Sequence, residues 1–424
     1  MVISENATLQ MKTKLLLMLL LLSLGYCTFA QTKDLDFFLQ AGINKNPQLA
    51  DYRNQISANR FDSLRIRATL KPQINSNNSI NYAPVFFGIG YDPAVSNTGT
   101  YSALVSASKE IVNKRNLVNQ FEALELQNQT LNNTSVLTQQ DLKRTITAQY
   151  ITAYGDQAQL DFNQKVLELL QNEDTILRKL TERGVYRQTD YLAFLVTLQQ
   201  QEQLISQVAI QFQNDLGNLN YTSGLRDTSA VKLADPTLLP PDLPDFQQSV
   251  FYRKFILDSL QLRNSDAQID FSYQPHINLN ADAGFNSSLV VDAYKNFGFS
   301  LGATLTVPIY DGNQRQLQHD KINIAEDTRQ HYRNFYSDQF YQQRDQLWQQ
   351  LASAQRLLDQ TEKQLEYVQK LMEVNGKLML TGDVRITDYI MAINNYLNTQ
   401  NNITQNTINK YQIINQINYW NRSN

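Results

Sequence analysis

Two short segments carry the side chains best suited to specific polar chemistry. Gly184, Arg187, Thr189, Asp190 and Tyr191 recur as Gly382, Arg385, Thr387, Asp388 and Tyr389, each 198 positions on. Tyr186 adds a phenol to the first copy. A guanidinium, a carboxylate and phenols set this close together make ion pairs and hydrogen bonds. They do not make a nucleophile with its base or a phosphate cradle. No Ser-His-Asp arrangement, Gly-rich phosphate loop or paired-carboxylate motif stands elsewhere, so neither an enzyme nor a cofactor-binding residue is expected. His276, His319 and His331 have no ligand spacing with one another, so no metal site is expected. His319 and His331 read as lying on the solvated side of a helix.

These segments are turns between helices. Each follows a proline-free stretch, 113–183 or 311–381, in which apolar residues recur every three or four positions. Leu160, Val166, Leu169, Leu170, Ile176, Leu177 and Leu180 make the stripe in the first; Leu347, Leu351, Leu358, Leu365 and Val368 belong to the second. Gln, Asn, Glu, Lys and Arg fill the remaining faces, so the helices are amphipathic. At about 1.5 Å per residue each runs on the order of 100 Å, more than a compact domain holds, and their narrow stripes suit a coiled-coil wall. Gly184 and Gly382 stand where a helix ends. Return helices are expected over 189–220 and 387–420, with Thr189 and Thr387 as N-caps and Asp190 and Asp388 in the first turns.

Upstream of each long helix the period switches to two. Ile74, Ile80 and Tyr82 alternate with Asn75, Asn77, Ser79 and Asn81; Tyr101, Ala103, Val105 and Ala107 alternate with Ser102, Ser106 and Ser108. Ile277, Leu279, Ala281, Ala283 and Phe285, then Phe297, Phe299, Leu301, Ala303 and Leu305, repeat the pattern. The spacing predicts β-hairpins over 72–112 and 275–310. Tyr82, Tyr101, Phe285 and Phe297 lie near strand ends, as an aromatic girdle would. One apolar and one polar face per strand is the alternation of a transmembrane barrel with a wet interior. Four strands cannot close, and open edges are forbidden in lipid. The chain must then share a barrel with copies of itself; three would supply twelve strands. The order of elements gives two repeats: 31–234, opened by a helix pair broken at Asn46-Pro47, and 246–424, joined by a Pro-rich linker over 235–245.

Residues 1–30 read as a signal peptide: basic Lys12 and Lys14, apolar Leu15 to Leu24, then Thr28-Phe29-Ala30 at the cleavage site, with Met1 or Met11 as the start. Cys27, the only cysteine, falls within it; removal with the signal is expected because Tyr26 is bulky for the position before a lipobox cysteine, with a lipid anchor at Cys27 as the alternative. A net charge of −3 offers no basic patch for nucleic acid. Beyond residue 31 no apolar run is long enough for a spanning helix.

Asn46-Pro47-Gln48-Leu49, Pro72-Gln73-Ile74, the strand-to-helix segment Val307-Pro308-Ile309-Tyr310-Asp311-Gly312-Asn313-Gln314-Arg315 and the duplicated Gly…Thr-Asp turns resemble the TolC-like outer membrane efflux protein family over nearly the whole mature chain. The resemblance implies an α+β membrane protein. A homotrimeric twelve-stranded β-barrel, four strands per chain, would sit in outer-membrane lipid and continue as a long α-helical coiled-coil barrel through the periplasm. It implies a passive exit duct of a tripartite efflux or type I secretion system. The duct would work with a periplasmic adaptor (membrane fusion) protein and an inner-membrane pump of RND, ABC or MFS type. A porin-like channel without a pump is the alternative. At the inner mouth Asp388, Arg385, Asp190, Arg187, Tyr389, Tyr191 and Tyr186 are the gate candidates; Gly184, Val185, Gly382, Asp383 and Val384 are the adaptor-docking candidates. Some family members carry a second acidic residue three positions after the one matched by Asp388; Met391 stands there in this chain.

Overall fold

The computed structural model describes residues 32–84, 86–91, 98–226, 231–241, 245–288 and 293–420. The signal segment with Cys27, both start positions and part of the linker lie outside the described residues. In chain order the elements are α1 Leu35–Lys45, α2 Pro47–Thr69, β1 Gln73–Ala83, β2 Thr98–Ile111, α3 Lys114–Glu182, α4 Gln188–Thr222, α5 Val250–Ser272, β3 His276–Ser287, β4 Phe297–Thr306, α6 Gln314–Thr381 and α7 Ile386–Trp420. Among the described residues no helix is long and apolar enough to cross a membrane.

Both long helices begin at an Asx residue. Asn113 Oδ1 accepts the Arg115 N–H at 2.9 Å. At the matching place Asp311 takes the N–H groups of Asn313 and Arg315, at 2.9 and 2.7 Å. The second helix therefore starts at Gln314, three residues later than periodicity alone suggests. Gly312 and Asn313 lie between, both at positive φ (+67° and +68°), a conformation no helix accepts.

The four strands form one antiparallel sheet in the order β1-β2-β3-β4. Its register sorts the side chains by face, because residues paired across an antiparallel ladder share a face. Ile74, Ala107, Ala281 and Leu301 stand in one row, and Ile80 pairs with Tyr101. Ile111, Ile277 and Leu305 form another row, and Ala103, Phe285 and Phe297 a further one on this same face. Asn75, Ser106, Asp282 and Ser300 form a row on the opposite face, followed by Gln73, Ser108, Asn280 and Gly302. One face is thus mainly apolar, with Ser76, Asn78 and Lys109 as exceptions, and the other mainly amide, hydroxyl and glycine, with Leu104 among them. Among the described residues neither face is covered: Phe299 is 84% and Ile80 78% exposed on the apolar one, and β1 and β4 are exposed on both faces along nearly their whole length. Tyr82, Tyr101, Phe285 and Phe297 all fall on the apolar face.

Two compact units divide the chain, and they do not follow its two halves. One takes α1, Gln140–Asp242 and Arg344–Trp420; the other takes Pro47–Gln139 and Leu243–Gln343. The reason is local burial: a helix of 69 residues outruns any one core, so different stretches of it join different cores. The first unit holds two clusters. One gathers Val166, Leu170, Leu177, Phe194, Met379, Ile386, Tyr389 and Ile393 near the hairpin turns. The other gathers Phe38, Ile146, Tyr150, Leu216, Leu219 and Leu233. In the second unit Phe246 packs on Tyr252 and Phe340, each at 5.4 Å between ring centroids.

Candidate functional site

The two hairpin turns share one backbone design. Gly184 and Gly382 sit at φ of +76° and +81°. Gly184 and Val185 donate back to the carbonyls of Thr181 and Leu180, at 2.9 and 3.0 Å; Gly382 and Asp383 donate to Met379 and Leu378, at 3.2 and 3.0 Å. This pair of bonds ends a helix on a left-handed residue and satisfies its last carbonyls. The return helices then start at Gln188 and Ile386. Thr189 and Thr387 therefore lie inside the first turns and do not cap them. Arg187 is the N-cap of α4, with no side-chain capping bond. Its carbonyl accepts the N–H groups of Asp190 and Tyr191, as that of Arg385 accepts those of Asp388 and Tyr389.

The side chains diverge from this shared backbone. Arg385 donates twice to Asp388 within one helix turn, at 3.0 and 3.1 Å, and these bonds hold the guanidinium more firmly protonated. In the first turn Arg187 is exposed and Asp190 half-buried. The Tyr191 hydroxyl donates to Asp174 at 2.8 Å and accepts from Arg178 at 3.2 Å, so it ties α4 to its own partner α3. Tyr389, 2% exposed, sets its phenol against Glu173 instead, a polar contact from α7 of the second hairpin to α3 of the first. Tyr186 also crosses: its hydroxyl lies 2.8 Å from the Met379 carbonyl and 3.0 Å from that of Val384, one proton shared by two acceptors. Val185 crosses a third time, since a Cβ at position 382 would stand 2.9 Å from its Cγ1.

Glu173 is a site residue that sequence reasoning missed. Burial pushes its carboxyl above the usual range, and the Tyr389 hydroxyl pulls it partly back. Its Oε2 is buried without a hydrogen-bond partner among the described residues. Burial drives the Tyr389 phenol far up, with the Glu173 charge adding to it. Burial and then Asp383 raise the Tyr186 phenol. Both phenols are therefore neutral donors across the physiological range. The signal that could have found Glu173 is its place on the apolar stripe, three residues after Leu170 and four before Leu177.

Among the docking candidates Gly184, Val185, Gly382 and Asp383 are exposed, whereas Val384 turns inward onto the core. Asp383 accepts the Thr381 hydroxyl at 2.6 Å. Met391 is 57% exposed. His319 is not a solvated bystander: its Nδ1 lies 2.6 Å from Asp266 and its Nε2 3.1 Å from Asp270, which Arg315 also binds at 2.7 Å. The carboxylates raise its pKa, Asp266 most. His331 is exposed.

No family model and no curated protein matches the chain in sequence. Solved structures match it in shape. The outer membrane protein VceC of Vibrio cholerae superposes with a TM-score of 0.74 at 11% identity, over 92% of this chain and 96% of that one. The CmeC outer membrane channel of Campylobacter jejuni gives 0.71 at 12%, over 91% and 85%. The MtrE outer membrane channel of Neisseria gonorrhoeae, in its open state, gives 0.70 at 13%, over 91% and 88%. The fold is that of TolC-like outer-membrane channels, as the motif resemblance implies.

Proposed function

We propose that this chain is the outer-membrane exit duct of a tripartite efflux or type I secretion system. The observation that carries the reading is the sheet: its register puts apolar side chains on one face and polar ones on the other, both uncovered, with β1 and β4 left as edges. In lipid such edges need partners, because an unpaired backbone group there costs several kcal/mol. Three copies supply twelve strands and a closed wall, apolar side outward, with Tyr82, Tyr101, Phe285 and Phe297 in an aromatic girdle. The fold shared with outer-membrane channels supports this placement and a transport role without catalysis.

The hairpin turns then form the inner mouth. Asp388, backed by Arg385, presents a carboxylate per copy, with Asp190, Arg187 and Tyr191 beside it. The bonds Tyr186 and Tyr389 make between hairpins are the closures a docking partner would have to break. The exposed Gly184, Val185, Gly382 and Asp383 are what a periplasmic adaptor would meet, and the driving energy would come from an inner-membrane pump. Purified mature protein in detergent should be a trimer that forms pores in planar bilayers. Asp388→Asn, or Tyr186→Phe with Tyr389→Phe, should raise single-channel conductance. A detergent-free soluble monomer would overturn the duct; pores of unaltered conductance in all these variants would overturn the gate alone. Co-purification with an adaptor distinguishes an efflux duct from a pump-free porin.

A further inference from the structure

The polar face of the sheet is nearly free of charge, and the exception sits well inside it. Row by row from β1 to β4 this face carries mainly Asn, Ser, Thr, Gln and Gly, with Leu104 and Ala83 as its apolar members. Among the described strand residues on it, only Asp282, Glu110 and His276 are titratable. Glu110 and His276 lie at the helix-proximal strand ends and face each other at 3.7 Å. Asp282 lies deeper, in the row with Asn75, Ser106 and Ser300. Its polar contact is the Ser300 hydroxyl, which donates at 3.3 Å. No Lys or Arg shares the face with it among the described strand residues; Lys109 falls on the other one, in the row of Leu279. A lone carboxylate at membrane depth is tolerated only where it faces water. A ring of such groups, with neutral amides and hydroxyls around it, biases a pore toward cations.

We propose that Asp282 sets the ion selectivity of the membrane part of the channel, as one carboxylate per copy in an otherwise neutral lining. The proposal rests on the barrel reading, in which the polar face lines the lumen. Polar, uncharged or cationic solutes would pass this ring more readily than anions. Glu110 contributes less, because His276 stands opposite it and because it lies at the strand end.

The test is the reversal potential of single channels in planar bilayers under a KCl gradient. It is run in an Asp190→Asn, Asp383→Asn, Asp388→Asn background, so that these carboxylates at the hairpin turns do not contribute. The parent channel should prefer K⁺ over Cl⁻ by roughly two- to fivefold near 0.1 M salt, where charges are felt over about 10 Å. Asp282→Asn, which keeps the side-chain shape, should bring the ratio to near unity. Ser300→Asp, in the same row, should raise it above the parent, and Glu110→Gln should leave it close to the parent value. A ratio unchanged by Asp282→Asn, or one that collapses with Glu110→Gln instead, would overturn the assignment while leaving the channel intact. Failure of every variant and the parent to form pores would defeat the barrel reading itself.

Discussion

Tyr389→Phe isolates the bond between α7 and α3. The ring remains, so the packing on Leu170, Leu177 and Ile393 is kept; only the hydroxyl facing Glu173 is lost. What that costs depends on the charge of Glu173. A hydrogen bond to a neutral group contributes about 0.5–1.5 kcal/mol and one to an ionised group about 1.5–3 kcal/mol. Because burial raises the Glu173 pKa in the fold, the folded state holds more protons than the unfolded chain as pH rises from the ordinary carboxylate range. Native stability therefore falls as pH rises through that window. The Tyr389 hydroxyl opposes this by favouring the carboxylate; without it the folded pKa climbs further and the decline steepens. Thermal unfolding of the detergent-solubilised protein should thus show a loss of about 1 kcal/mol at acid pH, growing toward about 3 kcal/mol at mildly alkaline pH. Glu173→Gln should flatten the pH dependence that remains. An equal loss at both pH values, or none, would show that Glu173 is not the partner that matters, and the cross-hairpin bond would go with it.

Two further perturbations probe the backbone design and the histidine clamp. Gly184→Ala and Gly382→Ala both force a side chain into the left-handed region, at about 1–2 kcal/mol each. Gly382→Ala should lower the melting temperature more, because its Cβ also meets Val185, whereas nothing lies within 4 Å at Gly184; equal losses would refute the contact. For His319 the folded pKa is raised, so its contribution is full below the unfolded value and fades as pH rises through the folded one. His319→Gln should destabilise the protein at mildly acid pH and match the parent at alkaline pH, as read by paired melting curves; a gap that persists at alkaline pH would point to packing instead.

The strands and helices were legible because each advertises its own period. The alternation of Ile74, Ile80 and Tyr82 with Asn75 and Asn77 gave the faces of β1 before any partner strand was known, and the ladder confirms that all four apolar sets share one face. What periodicity could not supply was anything decided by a second segment. Glu173 meets Tyr389 only because two helices from different hairpins pack together, and His319 meets Asp266 and Asp270 across α5 and α6. Local chemistry misled at Thr189, a good N-cap by type: the Arg187 carbonyl had already started the helix two residues earlier.

The duplicated turn shows how far identical residues can part in role. Tyr191 and Tyr389 occupy matching places after matching glycines. Tyr191 finds Asp174 and Arg178 within its own hairpin, while Tyr389 finds Glu173 in the other. One phenol makes a hairpin rigid; the other makes two hairpins hold together. The hold at Tyr186, phenol to backbone carbonyl, involves no charge. A buried ion pair would carry a large desolvation penalty and, once broken, leave two stranded charges. A phenol on a carbonyl, as at Tyr186, presents only neutral groups, which water can satisfy in place of each other. The same preference appears within the bundle, where Gln201 donates to the Asn163 side-chain and backbone oxygens, each at 3.0 Å. Neutral amide pairs fix which residues face each other between helices without the salt sensitivity of charges. Amides that fix the register and a phenol that donates between hairpins are thus both neutral donors, and neither needs a buried charge pair to hold its place.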